Sequence, residues 1–410
     1  MKGFPNELRD ILHLLENNPL KSFSELAKVL SVSTQTFSRR FEELKKKEII
    51  YEVHSSLNPE SLLLERYVVI FIVNSIIDIK KLELSCDLHP YTISRHRLFG
   101  SDYGLFAIFD IPAGSYNNLT TFFEILQQRD FCKKFFIYTS SKNRILHVNP
   151  LLDNIIDSEE FDIVGYFSQS VEDKQVENLG REFTSNSLEF HPIELLILRD
   201  ITTNMRIPIT ELLKKYQNYL KLPSDKDAFY SLPRGFRPYL KEFFAEDRSE
   251  NAIYLDFKKK YHSIVDNHIE SYWLGVNRKY FEMFVRLLYI IHDVPKEEKL
   301  RLFTLLRTIR PPFYIYVEEL GRDMLISISL PPYYLTKFAY YLRDNFEKFS
   351  VYLIDSFESN AMKYRFYVHN YDIINHKMRD DKEWMITEPI KSIKDDISKN
   401  MFRRVSSISG

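Results

Sequence analysis

The sequence predicts an α+β protein: a winged helix-turn-helix followed by a ferredoxin-like βαββαβ domain, with that pair repeated twice along the chain. Three observations predict it. Ser22–Tyr51 reads as two capped amphipathic helices closing into a strand. Residues 66–149 and 281–375 each run in the order β-α-β-β-α-β. The hairpins of these two segments align, since Gly321 lies 221 positions after Gly100 and Pro331 lies 219 after Pro112.

Taken in order, Asn6 caps a first helix with Leu8, Ile11, Leu12 and Leu15 on one face, ended by Asn17-Asn18-Pro19. Ser22 and Glu25 form a capping box, and Leu26, Val29 and Leu30 give the next helix its apolar face. Ser31-Val32-Ser33 breaks that helix and Ser33 caps the third. There Phe37, Phe41 and Leu44 make a buried stripe, so Gln35, Arg39 and Lys46 point outward with Ser38 and Arg40 on the flanks. Side chains of these types hydrogen-bond base edges and phosphates in a major groove. The plainer alternative is a solvated amphipathic helix. Ile49–His54 then reads as the edge of a wing, and Ser55–Glu65 as a polar connection.

Leu8 to Pro59 resembles the winged helix-turn-helix of the leucine-responsive and asparagine-responsive (Lrp/AsnC) regulators. The matching stretches are LRDILHLLENN, SELAKVLSVSTQTFSRRFEELKKKEII and Leu57-Asn58-Pro59. The resemblance implies that Thr34 to Arg40, hence also Thr34 and Thr36, enter the DNA groove. The family usually carries Gly in the turn and before the closing strand, where this chain has Ser31 and Glu48. Leu98 to Pro112, LFGSDYGLFAIFDIP, resembles the central hairpin of the same family's effector and assembly domain. That likeness implies dimerisation through the sheet domain and an amino-acid-like effector near the hairpin, with Gly100, Asp102, Gly321 and Asp323 as candidate contacts. Taken alone, Gly100 and Asp102 are what such turns require. Arg95-His96-Arg97 reads as a surface face of a strand rather than an anion site.

Residues 150–190, with an acidic cluster around Asp153–Asp162, read as a linker holding one helix at most. Residues 191–275 read as a divergent second winged helix. Pro192 starts its first helix, Ile209–Leu220 is its second and Tyr239–Ala245 its third. Ile253–Phe257, followed by Lys258, Lys259 and Lys260, reads as its wing. Pro233, Gly235 and Pro238 interrupt the place of a recognition helix, which leaves Arg234, Arg237, Lys241, Lys258 and Lys259 as candidate second DNA contacts. Residues 376–410 read as a polar tail, in which Arg403-Arg404-Val405-Ser406 has the form of a basophilic kinase site.

Composition narrows the function classes. The chain has 410 residues, enough for two to four domains. Its net charge of −1 excludes a global basic field, so any affinity for nucleic acid is local. Residues 33–47 supply it, with Arg39, Arg40, Lys45, Lys46 and Lys47 against Glu42 and Glu43. Cys86 and Cys132 lack a CxxC partner and read as reduced thiols of a cytoplasmic protein, with no metal site. No signal peptide opens the chain and no apolar run approaches the ~18 residues of a membrane span. Neither a P-loop nor a dinucleotide fingerprint is present, and the histidines are scattered. The expectation is therefore a sequence-specific DNA-binding transcription regulator, not an enzyme, without cofactor. Its partners are double-stranded DNA and a candidate small-molecule effector, and its two sheet domains pair as an intramolecular pseudo-dimer or across a homodimer. The competing expectation is an interaction or ligand-sensing scaffold whose winged helices bind protein.

Overall fold

Helices α1 (Asn6–Asn17), α2 (Phe23–Val29) and α3 (Thr34–Lys46) pack around Leu8, Ile11, Leu12, Leu15, Leu26, Phe37, Phe41 and Leu44, all buried. The capping box of Ser22 and Glu25 is formed, and Ser33 Oγ accepts from Thr36 N at 3.0 Å. Val29, expected on the apolar face, is instead exposed. In this computed structural model the described residues are 6–148 apart from 19 and 101, 161–170, 189–277 apart from 222–232 and 234, 285–355, 361–363 and 366–396.

The strand after α3 differs from the expected wing. β1 (Ile50–Leu57) pairs antiparallel with β7 (Ile269–Val276), from Ile50 opposite Val276 to Leu57 opposite Ile269. It is a ribbon between the two halves of the chain. A strand needs a ladder for its backbone groups, and here the distant β7 supplies it. The expected polar connection is also corrected. Ser55–Leu57 completes β1, and Pro59–Leu62 is a 3-10 turn with Pro59, Ser61 and Leu62 buried.

Two βαββαβ units follow. The first holds β2 (Leu64–Ile72), α4 (Ile76–Leu88), β3 (Thr92–Phe99), β4 (Gly104–Pro112), α5 (Tyr116–Gln128), β5 (Lys134–Thr139) and its continuation β6 (Arg144–His147). After a separate helix α6 (Ile163–Phe167) and the second helical unit, the other comprises β8 (Arg286–Ile291), α11 (Lys296–Thr308), β9 (Tyr314–Leu320), β10 (Asp323–Ser329), α12 (Pro332–Asn345), β11 (Phe349–Ile354) and β12 (Ala361–Lys363). Strand order is β5-β2-β4-β3, then β11-β8-β10-β9, then β6, with β12 on β3. The period-2 alternation explains why β2 is apolar from Tyr67 to Ile72. Tyr67, Val69 and Phe71 face α4 and α5, while Val68, Ile70 and Ile72 join Leu288, Ile290 and Leu325 in a core between the two sheets.

The sheets are stitched at both corners. Ser140 N donates to Arg66 O of the first sheet at 3.0 Å, and Ser141 N to Glu319 O of the second at 2.8 Å. At the opposite corner Leu353 and Ile354 pair with both β8 and β3, and Asp355 N reaches Arg97 O. Residues 66–149 and 281–375 thus share hydrogen bonds and a core within one chain.

The second helical unit has α7 (Pro192–Ile201), α8 (Ile209–Tyr219), α9 (Phe236–Phe243) and α10 (Glu250–His268). The wing expected at Ile253–Phe257 does not exist. Ser249 Oγ accepts from Ala252 N, and Ile253, Phe257 and Ile264 bury at helical spacing, so the segment is the start of α10. Pro238 lies in the first turn of α9, where it breaks no internal bond.

The polar tail is likewise corrected over its described part. Residues 382–396 form a helix, α13, opening with a π turn at Glu383–Thr387, and Met385, Ile386, Ile390 and Ile393 are buried. Trp384 stacks on Tyr367 at 6.1 Å, and the Arg379 guanidinium lies 3.8 Å from the Trp384 ring centre. Asn118 of α5 donates to Asp380 O. The second unit's C-terminal arm therefore covers the first unit's helices. Reciprocally α6, inside the expected linker, places Tyr166 and Phe167 in the core under α11 and α12. The kinase-like Arg403–Ser406 lies outside the described residues.

Arg144 ties these parts together: Nη2 meets Glu60 at 2.8 Å and Nε meets Glu270 at 2.9 Å, with the guanidinium almost fully buried. Arg144→Ala leaves two carboxylates without their cation and is expected to cost about 3–5 kcal/mol in urea unfolding. A loss below 1 kcal/mol would contradict this account. His89 and His268 are buried, and burial pushes their pKa down to about 3 and about 4. Each is neutral when folded and charged when unfolded between that value and about 6.5, so unfolding takes up protons there. Stability should fall as pH drops from about 6.5 toward 4 and stay level above 7. A urea midpoint constant from pH 7.5 to 5 would refute this.

Candidate nucleic-acid interface

α3 lies on a rigid base because its inner stripe is rings and leucine. Phe37 and Phe41 pack on Phe23 at centroid distances of 5.3 and 4.9 Å. This fixes the outward side. Thr34, Gln35, Arg39 and Lys46 are exposed, and Thr36, Ser38 and Arg40 half-buried. Glu42 and Glu43 are exposed on the same helix, so the face is mixed and not uniformly basic.

The lysines at the C-terminal end are less available than their sequence implies. Lys45 Nζ is 2.7 Å from Glu52 of β1, and Lys47 Nζ is 2.5 Å from Glu43. The hydrogen bond and charge of Lys47 also hold the Glu43 carboxyl below its usual value. Of these three, Lys46 is the one whose side chain has no ion pair among the described residues. Exposed pairs of this kind contribute at most about 1 kcal/mol, so a phosphate can displace them.

Ser31 and Glu48, which stand where the resembling family has Gly, have φ of 53° and 52°. Both are the left-handed residue of a Schellman cap. Val32 N bonds Ala27 O and Ser31 N bonds Lys28 O after α2, while Ile49 N bonds Leu44 O and Glu48 N bonds Lys45 O after α3. The geometry that glycine serves is kept, at a steric cost. Ser31→Gly and Glu48→Gly are expected to raise stability by about 0.5–1 kcal/mol each, the relief of strain exceeding the entropy that glycine adds to the unfolded chain. Thermal melts check this; a lower melting temperature for both would refute it.

The second set of candidates is scattered. Arg234 lies outside the described residues. Arg237 is half-buried and Lys241 exposed on α9, and Lys258 and Lys259 are exposed on α10. None lies on α3's unit. A contact that sequence reasoning missed joins the units: Arg206 donates to Lys21 O at 3.0 Å and lies 4.5 Å over Phe23, at the entrance to α2. No local pattern marks Arg206, because its partners are far along the chain.

The candidate effector residues are engaged in turns. A Cβ at Gly100 would sit 3.4 Å from Val351 O, and Asp102 is exposed. Gly321 has φ of 62°. Asp323 accepts from Asp293 N at 3.0 Å and faces His292 Nδ1 at 3.4 Å. The expectation of a surface face at Arg95–Arg97 is wrong. Arg95 is buried against Glu83 and Asp87, and Arg97 makes a two-point contact with Glu83. The reason is α4, which places those carboxylates over β3. No group of His, Cys, Asp and Glu suited to a metal occurs among the described residues, and no described helix is long and apolar enough to cross a membrane.

Residues 8–51 match the family model of a winged helix-turn-helix DNA-binding domain. No curated protein matches the chain. Among solved structures, siroheme decarboxylase NirDL covers 95% of this chain and 100% of its own, at 12% identity and a TM-score of 0.50. NirDL in complex with an iron-uroporphyrin III analogue covers 96% and 100%, at 11% identity and 0.52. An AsnC family transcriptional regulator from Agrobacterium tumefaciens covers 37% of this chain and 99% of its own, at 17% identity and 0.32. The N-terminal winged helix stands on the match of residues 8–51 to a DNA-binding family model. The helix-turn-helix plus ferredoxin-like arrangement stands over nearly the whole length of the chain. The expectation that the chain is not an enzyme is overturned, because the structures sharing its full-length architecture are those of a decarboxylase.

Proposed function

We propose that the chain is a sequence-specific DNA-binding transcription regulator that reads DNA with α3, its two sheet units pairing inside one chain as a pseudo-dimer. The observation that carries this reading is the outward row Gln35, Arg39 and Lys46, on a helix capped by Ser33 and seated on buried aromatic rings, inside the segment that matches a DNA-binding family model. Gln and Arg have the hydrogen-bonding forks that distinguish bases in the major groove. Lys45, Lys46 and Lys47 then contact phosphates, the first and last by exchanging Glu52 and Glu43 for the backbone.

Effector sensing by the sheet units is part of the proposal. An amino-acid-like ligand at the β9–β10 turn would replace the Asp293 and His292 contacts of Asp323. A second reading comes from the full-length architecture shared with siroheme decarboxylase NirDL: the sheet units bind a tetrapyrrole. Iron-uroporphyrin III titrated into the protein should then shift its Soret band. An unmoved spectrum would remove this reading and leave DNA binding untouched.

Gel shifts with fragments of the protein's own promoter region test the main reading, with the Arg39→Ala/Arg40→Ala variant as control. Removing a bidentate arginine–guanine pair should cost about 1–3 kcal/mol of affinity, with an unchanged circular dichroism spectrum because both arginines lie off the buried stripe. Affinity should also fall steeply with salt, log K against log[salt] having a slope near −0.9 per phosphate. Unchanged affinity, or a flat salt response, favours the winged helix as a protein-binding surface.

A further inference from the structure

The β1–β7 ribbon relates α3 and α10 by a local two-fold. Antiparallel pairing puts the start of each strand beside the end of the other. Asn277, just past β7, donates to Glu48 O and Ile49 O ahead of β1. In the mirrored position Asn58, just past β1, donates to His268 O at the end of α10. α3 and α10 are each the last helix before the ribbon, one at either end. Eight residues at ~3.4 Å separate their C-terminal ends by about 27 Å, close to the ~34 Å of one duplex turn.

Aligning the two caps, Ser33 with Ser249, compares the helices position by position. The buried Phe37 and Phe41 correspond to the buried Ile253 and Phe257. α10 is thus the counterpart of the reading helix; α9, which carries Arg237 and Lys241, is not. Exposed Asn251 keeps an amide at the place of Gln35, but the positions beyond it differ in kind. Leu255 stands at the place of Arg39 and is 55% exposed. Asp256 stands at the place of Arg40 and pairs with Arg248 at 3.1 Å. One turn on, exposed Lys258 and Lys259 replace Glu42 and Glu43. The arginine forks are gone, and two ammonium groups, which act as point charges toward phosphate, have appeared.

We infer that the pseudo-dimer is a one-armed reader: α3 reads a single asymmetric block of sequence, while α10, lacking both arginine forks, rests on the duplex backbone through Lys258 and Lys259. Two-fold symmetric readers require inverted-repeat sites, because each helix reads one half. This chain keeps the two-fold placement without the second pair of reading arginines. The inference rests on the proposed DNA binding by α3.

Selection of duplexes from a random pool by the full wild-type chain tests it. One non-palindromic block should emerge. Recovery of an inverted repeat with equal halves would overturn the one-armed reader while leaving DNA reading intact, whereas no retained duplex would overturn the DNA-binding proposal and this inference with it. In the same assay Leu255→Ala should select the same block. Lys258→Ala/Lys259→Ala should weaken all duplexes alike and make the salt slope shallower by about two phosphates' worth, near 1.8. A changed block with either variant, or an unaltered salt slope with the lysine variant, would overturn the role assigned to α10.

Discussion

Everything else in this chain depends on the connection from β5 to β6, which changes sheets between adjacent residues. Ser140 still bonds to β2 of its own sheet, and Ser141 already bonds to β9 of the other. At the opposite corner Leu353 and Ile354 pair with both sheets at once, and Asp355 N goes on to Arg97 O. A single βαββαβ sheet would leave one face bare and its edges unpaired, which invites association. Here each unit supplies the other's missing cover, with an apolar core such as Val68, Ile70, Leu288 and Ile290 between the faces.

The helical units are held by that sandwich. Arg144, on a strand already transferred to the second sheet, grips Glu60 below β1 and Glu270 in β7. One buried guanidinium thus anchors the ribbon that sets the spacing of α3 and α10. The exchange continues in the arms, with α6 under the second unit's helices and α13 over the first unit's. Such reciprocal cover joins the halves in one body, and α3 on it has a fixed position relative to α10.

The architecture is shared with siroheme decarboxylase NirDL over nearly the whole chain, and residues 8–51 match a winged helix-turn-helix DNA-binding model. The sheet sandwich and the helical units share one apolar core in addition to the ribbon and the Arg144 contacts. The charged groups at that junction, Arg66 with Asp110 and Arg144 with Glu60 and Glu270, are saturated by one another. They contribute rigidity there.

Local chemistry settled much of this from the sequence by itself. Ser22, Glu25 and Ser33 cap helices because their side chains reach nearby backbone, and Phe37, Phe41 and Leu44 bury because their spacing allows nothing else. The βαββαβ order and its repetition were likewise written in periods of 2 and 3.6. Only the tertiary structure decided the partners. Whether Lys45 is free for phosphate depends on Glu52; whether Arg95 is surface depends on α4; whether 382–396 is a tail depends on the apolar face of α5 that it covers. The same holds for Ile253–Phe257, whose short apolar run fits a strand as well as a helix until Ser249 caps it and the core on one side takes Ile253, Phe257 and Ile264. Pairings between residues hundreds of positions apart leave no periodic trace, because each partner's own neighbours fix its local shape and the fold alone brings the two together.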